Sequence, residues 1–521
     1  MNSKWTAVAA SIWIQCSSGA SYAFSIYSSV LKSSQGYDQS TLDTVSVFKD
    51  IGANAGTLSG LLYSSVAARH SRGYGPWVVH LAGALQCFAG YFLMWLSVAG
   101  FIPQPPVPIM CLFMLMAAHA QTFFNTANVV TAVHNFPGYS GTIVGIMKGF
   151  LGLSGAILVQ VYQTFLEGNP VAFLLMLAIL PTAISLFFMF LVKISPTNSV
   201  DDKKHLNGFS TSALAIAAYL LIIIILENIF TLPSWVLILT FILLLLLVAS
   251  PLGVALRGQK EDAEKLPETR SNETSPLIDE SIAEYENANL SSQEDREMSL
   301  LQSMRTLDFW LLFMAMLCGM GSGLATINNI SQIGQSLRYT GVEINTLVSL
   351  WSIWNFLGRF GAGYVSDAVL HTRGWPRPSF MALALLIMTV GHIFIASGLP
   401  GNLYVGSVLV GVCYGSQWSL MPTVTSDIFG VEHMGTIFNT IAIASPVGSS
   451  ILSVLVIGNI YDREATGKGN SCYGTHCFLL SFIILACVSL CGFLIALILL
   501  FRTRSLYEQI LHRRLRHLNK Q

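Results

Sequence analysis

Residues 54–73 read NAGTLSGLLYSSVAARHSRG, and residues 355–374 read NFLGRFGAGYVSDAVLHTRG. Seven positions agree at one displacement of 301 residues: Asn54 with Asn355, Gly60 with Gly361, Ser65 with Ser366, Ala67 with Ala368, His70 with His371, Arg72 with Arg373 and Gly73 with Gly374. Each stretch leaves an apolar run and enters a basic turn. A second echo joins Gly141-Thr142-Ile143 and Ile157-Leu158 to Gly435-Thr436-Ile437 and Ile451-Leu452, displaced by 294. Polar and small residues recurring in the same order at nearly the same distance mark an internal duplication. Loop length absorbs the difference between the two displacements.

The surroundings of both copies are strongly apolar. Of the 521 residues, 53% are hydrophobic and only 10% charged, where a soluble domain carries about 25% charged residues. So little charge cannot coat a water-facing surface of this size, which points to lipid as the solvent. The formal net charge is zero, which gives no pull toward nucleic acid. A membrane-crossing helix needs about 20 apolar residues. Such runs occur near 5–30, 43–65, 77–98, 107–130, 140–163 and 170–193, then near 211–229 and 234–256, and then near 308–332, 344–366, 379–397, 402–425, 434–458 and 477–501. The expected fold is therefore an all-α membrane protein of about 14 transmembrane helices. Residues 1–195 form one six-helix bundle, 196–256 an inserted helix pair and 307–501 a second six-helix bundle. Residues 257–306, rich in Glu, Asp, Ser and Asn, read as a disordered cytosolic linker, and 502–521 as a basic cytosolic tail. Lys and Arg in the short loops place both termini on the cytosolic side. The repeats are separated by an even number of spans and so run parallel. Parallel repeats of this kind hold their solute at mid-membrane between the halves. Cys472 and Cys477 share a polar loop and could pair if it faces an oxidising compartment.

The turn GYVSD over 363–367, followed by RGWPR over 373–377, resembles the signature loop of the major facilitator superfamily. The N-terminal copy departs from it, with Val66 where the aspartate would stand. The stretches VFKDIGANAG over 47–56, NFP over 135–137, GIMKGFLGLSG over 145–155 and SDIFG over 426–430 are similar to the plant nodulin-like branch of that superfamily, the nuclear-fusion-defective-four-like proteins. Ser140 stands where relatives often have a basic residue. The resemblance implies a transporter fold. It also implies a role for Arg359, since monocarboxylate and oxalate transporters of the superfamily have an arginine in the equivalent helix.

Charge within hydrocarbon is costly, so each such residue faces a cavity or a partner, or reaches the interface. Lys148 lies about eight residues into the fifth helix among Gly145, Gly149 and Gly152, which leave room around an amine. Arg359 offers a planar fork suited to a carboxylate, or else serves a nearby carboxylate such as Asp367. Lys49 and Asp50 are adjacent on the second helix. Their side chains leave about 100° apart, which predicts that only one faces the cavity. Asp50 is the candidate proton carrier. Asn54 and Asn355 are repeat-related and expected to bond across helices. Gln121, Asn125 and Asn128 form one stripe of the fourth helix. His119 points to another face and is expected to pack between helices. Asn328, Asn329, Tyr414 and Gln417 are candidates for lining the other half.

Asp367, Arg373 and Asp427 fall at cytosolic helix ends and are expected to form a gating network. Glu273, Leu277 and Ile278 fit an acidic dileucine sorting signal, which would engage a sorting adaptor and direct the chain to a vacuolar or other endomembrane. No Ser/His/Asp set, HExxH or phosphate loop is present, and no metal or cofactor is expected. The function expected is secondary-active transport of a small solute by alternating access, a proton-coupled organic anion of the monocarboxylate kind being favoured. The alternative is a non-transporting membrane receptor or scaffold on the same fold.

Overall fold

A computed structural model of the chain describes all residues except 1–2, 68–74, 167, 196–201, 231, 273–296, 466–471 and 519–521. The expected Glu273, Leu277 and Ile278 signal lies outside the described residues, as do His70, Arg72 and Gly73 of the repeat. The described residues form helices and connecting turns, without a strand. In chain order the helices are α1 (Lys4–Ser18), α2 (Phe24–Gln35), α3 (Gln39–Asn54), α4 (Thr57–Ala67), α5 (Trp77–Val98), α6 (Val107–Asn135), α7 (Ser140–Phe165), α8 (Pro170–Phe188), α9 (Asp202–Ile229) and α10 (Ser234–Asn272). There follow α11 (Leu300–Met304), α12 (Leu307–Ser336), α13 (Gly341–Arg373), α14 (Pro378–Ser397), α15 (Asn402–Phe429), α16 (Met434–Ala442), α17 (Ala444–Ser449), a π-helix (Ser450–Gly458), α18 (Asn459–Glu464) and α19 (His476–Leu518).

Ten of the described segments are long and apolar enough to cross a membrane by length and composition. Three of the expected spans are interrupted. The run near 5–30 breaks at Gly19 into α1 and α2, joined by a short 3-10 turn, and the run near 43–65 breaks at Ala55 into α3 and α4. A broken helix frees a carbonyl that hydrocarbon cannot satisfy. Here His119 of α6 lies 3.1 Å from the Ala55 carbonyl and 2.8 Å from Gln86, so the expected interhelical role of His119 is met. The run near 434–458 passes through α16 and α17 into the π-helix, a geometry frequent at functional sites.

The duplication in sequence reappears as two equivalent crossings. The second helix of one half meets the fifth helix of the other in both places: α4 against α16, and α13 against α7. Both crossings need glycine. A Cβ on Gly60 would lie 2.4 Å from the Thr436 backbone, and one on Gly363 would lie 2.3 Å from the Gly141 carbonyl. These close approaches seal the two halves together at the end where α4 and α13 finish and α7 and α16 begin. That is the end assigned to the cytosol by the Lys and Arg count.

The inserted pair α9–α10 packs on α1 and α7 of the first half and reaches α13 of the second. Its docking is polar at one end: the Lys4 ammonium lies 2.6 Å from Asp202, and the Trp5 indole donates to Asp262 at 2.7 Å. Midway, the Trp13 indole donates to the Val248 carbonyl at 2.8 Å. Tyr364 of α13 donates to Asn207 at 3.2 Å.

The expected disordered stretch 257–306 is corrected at both ends. Helix α10 continues through Asn272, with Glu261 reached by Lys204 at 2.8 Å and Asp262 by Trp5. These contacts with α9 and α1 outweigh the polar composition that predicted disorder. At the far end, Ser299 closes a capping box on α11, and the Glu297 carboxylate accepts from the Val431 and Glu432 amides at 3.1 and 2.8 Å. The expected tail is likewise helical as far as Leu518, the continuation of α19. Cys472 and Cys477 are joined by a disulfide just before and within the first turn of α19.

Candidate functional site

Between the halves lies a cavity of about 350 Å³, on the far side of the glycine crossings. Both bundles line it. The first half contributes Tyr22, Lys49, Asp50, Asn54, Asn125 and Lys148, and the second contributes Trp351, Asn355, Arg359, Tyr414, Trp418 and Asn439. Seven of the eight residues expected at a substrate site are therefore brought together. Gln417 is not. It points into the second bundle, where its amide nitrogen lies 3.6 Å from the Met388 sulfur and its bulk fills the space above Gly319. Gln417 lies on the edge of that face of α15 which meets α12 and α14, and Gly319 on α12 leaves the space its side chain takes. The i, i+4 partnership of Tyr414 and Trp418 was the available signal for Trp418.

Arg359 is buried and fixed from three directions. Its Nε donates to Asn355 at 2.8 Å, and its terminal nitrogens donate to the Lys148 carbonyl at 3.1 Å and the Tyr22 hydroxyl at 3.0 Å. Two of these bonds cross between the halves. Guanidinium has five donors, so two remain for a ligand. Lys148 is also buried, with its ammonium 5.1 Å from the Trp418 ring centre and 5.2 Å from that of Phe438. Arg359 lies 5.7 Å from the same Trp418 ring. Among the described residues neither head group pairs with a carboxylate. Asp367, the alternative partner considered for Arg359, is engaged elsewhere. A desolvated ion without a partner costs several kcal/mol, so two such cations beside one aromatic wall make a cavity suited to an anion.

Lys49 and Asp50 correct the expectation that only one of them faces inward. Both line the cavity and pair with each other at 3.1 Å. The long lysine stem bends over the Phe24 ring, 5.0 Å away, and so overcomes the divergence of the two Cβ directions. Asn54 and Asn355 were expected to bond across helices. Each instead bonds within its own helix, Asn54 to the Asp50 carbonyl at 2.7 Å and Asn355 to Arg359. Gln121 accepts from Ser21 at 2.6 Å and Asn125 from Gln15 at 3.4 Å. Asn128 is fully buried and has no hydrogen-bond partner among the described residues.

A second cavity, also about 350 Å³, continues from the first and shares Ser46, Asp50, Leu324 and Asn328 with it. Asp43, Asn329, Gln332, Ser449, Ser450 and Ser453 complete its polar wall.

At the sealed end, Asp367 takes the Gly141 and Thr142 amides at 3.1 and 2.6 Å, capping the first turn of α7 from the opposite half. A carboxylate there also meets the positive end of the helix dipole. The cation that joins this group is Arg377, not the expected Arg373. Arg377 donates to Asp367 at 2.6 Å and to Asp427, whereas Arg373 is exposed at the last turn of α13. Gly374 ends α13 in a left-handed turn, and Arg377 lies beyond it, where the chain doubles back to start α14. Sequence distance could not say which arginine would be folded inward. Tyr507 of α19, a residue with no signal in the sequence, donates to Asp427 at 2.8 Å. Tyr507→Phe is expected to loosen this end by about 1–2 kcal/mol. Hydrogen exchange of the α15–α16 turn should read this as roughly tenfold faster opening, and unchanged exchange would deny α19 a part in the seal.

Residues 4–256 match the family model called Nodulin-like, and residues 294–509 match that of the NFD4 C-terminal domain. The protein NUCLEAR FUSION DEFECTIVE 4 of Arabidopsis thaliana is 27% identical over 542 residues, an alignment covering 97% of this chain and 90% of that protein. The probable transporter MCH1 of Yarrowia lipolytica is 27% identical over 171 residues, 30% of this chain and 34% of its own. Among solved structures, the major facilitator proton:xylose symporter XylE bound to 6-bromo-6-deoxy-D-glucose superposes with a TM-score of 0.56 at 11% identity, covering 94% of each chain. A double-tryptophan XylE mutant gives 0.59 at 13% identity, covering 97% of this chain and all of that one. At such identities the likeness is one of fold.

Proposed function

Because this chain belongs to the nodulin-like family, on a major facilitator fold, we propose that it is a secondary-active carrier of a small organic anion. The anion is of the monocarboxylate kind, and a proton travels with it by alternating access. The observation carrying this reading is the pair Lys148 and Arg359, contributed by opposite halves to one cavity and without carboxylate partners among the described residues. A carboxylate between them would offset the desolvation of both cations. It would also tie α7 to α13, so its presence or absence would bias the motion of the halves. Asp50, on the same cavity and paired with Lys49, is the acid that would take the proton. The fungal relatives, named probable transporters, support carriage over a receptor role. Both termini would face the cytosol, on an endomembrane.

The test is uptake of labelled monocarboxylates by the purified chain in proteoliposomes, with and without an inward proton gradient. Uptake is expected, and it should rise at least about fivefold when the outside is acidified. Uptake that ignores the gradient would remove Asp50 and the proton. The absence of uptake for every carboxylate tried would remove the anion.

A further inference from the structure

The carboxamides on the wall of the inner cavity are fixed in direction. Gln121, Asn125, Asn355, Asn54 and Asn439 all line it, and the protein holds one end of each. The Gln121 oxygen accepts from Ser21 at 2.6 Å, the Asn125 oxygen from Gln15 at 3.4 Å, and the Asn355 oxygen from the Arg359 Nε at 2.8 Å. Asn54 and Asn439 are held the other way round. The Asn54 nitrogen donates to the Asp50 carbonyl at 2.7 Å, and the Asn439 nitrogen to the Thr126 hydroxyl and the Gly435 carbonyl, both at 2.7 Å. Among the described residues the opposite end of each amide has no hydrogen-bond partner. Beside Lys148 and Arg359, the wall therefore offers a ligand the NH₂ groups of three amides and the carbonyl oxygens of two.

A ligand filling this site must answer donors and acceptors together. An alkyl chain answers neither and leaves the amides unpaired, which costs affinity. A second carboxylate only accepts, and an ammonium only donates, whereas a hydroxyl does both. On the side of the second half the wall is aromatic, with the Trp351 and Tyr414 ring centres 6.3 Å apart. The faces of such rings are negative and match C–H groups polarised by neighbouring oxygens. At about 350 Å³ the cavity lies near the lower end of the range for small-molecule sites, roughly 300–1,000 Å³, which is space enough for six carbons. Resting on the anion reading above, we propose that the solute is a polyhydroxylated monocarboxylate, a sugar acid. Its carboxylate sits between Lys148 and Arg359, its hydroxyls bond to the unpaired ends of the amides, and its C–H face lies on Trp351 and Tyr414.

Six-carbon probes test this by titration calorimetry on the purified full chain: gluconate and glucuronate as sugar acids, hexanoate as the acid without hydroxyls, adipate as the dianion, and sorbitol and glucose as the uncharged polyols. The better sugar acid should bind at least tenfold more tightly than any of the other four, because a site built to bond hydroxyls rejects the analogue lacking them. Gln121→Leu and Asn54→Leu should each weaken the sugar acid by about fivefold and leave hexanoate within about twofold. No loss in either variant, or equal losses for both acids, would overturn the assignment of hydroxyls to these amides. Hexanoate binding as tightly as the sugar acids would overturn the hydroxylated solute while leaving the anion carrier intact. Adipate binding most tightly would overturn it in favour of a dianion, again leaving the anion reading in place. Sorbitol or glucose binding as tightly as the acids, or no binding by any probe, would overturn this proposal together with the anion reading.

Discussion

Arg359→Lys is expected to lower carboxylate uptake, as kcat/KM, by about 100-fold or more. The guanidinium does several things at once that an ammonium cannot. It holds Asn355, reaches the Lys148 carbonyl and the Tyr22 hydroxyl in the other half, and keeps two donors for a ligand. A lysine is a compact charge on a shorter reach and cannot span three directions. Losing two charge-assisted bonds at about 1.5 kcal/mol each amounts to about 3 kcal/mol, or two powers of ten. Thermal unfolding in detergent separates this from damage to the fold. A transport loss with little change in midpoint places the effect at the site. Uptake within threefold of the unmodified protein would show that Arg359 holds the halves together without touching the solute.

Asp367→Asn should act at the other end of the molecule and on the conformational balance. Asp367 is buried and accepts two α7 amides and Arg377. Asparagine keeps the shape but removes the charge, leaving Arg377 with Asp427 and weakening the cap on α7. Breaking a buried pair by removing one partner costs about 3–5 kcal/mol, and the isosteric change should cost about 3. A shift of that size changes the ratio of two conformations by roughly 100-fold. The direction is toward the state open at the Asp367 end. Among the described residues the repeat-equivalent place offers no matching carboxylate cap, because Val66 stands there and the Thr436 hydroxyl opposite has no partner. Spin labels placed across that end, on α4 and α16, should report a longer distance in the variant. An unchanged distance distribution would mean that the glycine crossings alone keep it shut.

Much of this arrangement follows from features that are local in sequence. Apolar length gives the helices, since a backbone in hydrocarbon must satisfy itself within each segment. The displaced copies around Asn54 and Asn355 give the duplication, and the paired crossings of α4 on α16 and α13 on α7 are its consequence, although the close glycine on α13 is Gly363 and not Gly361, the partner of Gly60 in the repeat. Lys148 and Arg359 stand out because a charge in an apolar run is too costly to be idle.

What the sequence by itself determined, then, was a duplicated bundle of membrane helices with two interior cations. Tertiary structure alone decided the partners. It chose Arg377 over Arg373, folded Lys49 onto Asp50, turned Gln417 away, ordered Glu297 and the end of α10, and brought Tyr507 to Asp427. The physical reason is range. Periodicity and hydropathy act over one or two helical turns and fix which face of a helix is buried. A contact between Asp367 and Thr142 depends on how whole helices cross: Gly363 and Gly141 beside them permit the close approach, but the two residues that meet lie 225 positions apart in the chain.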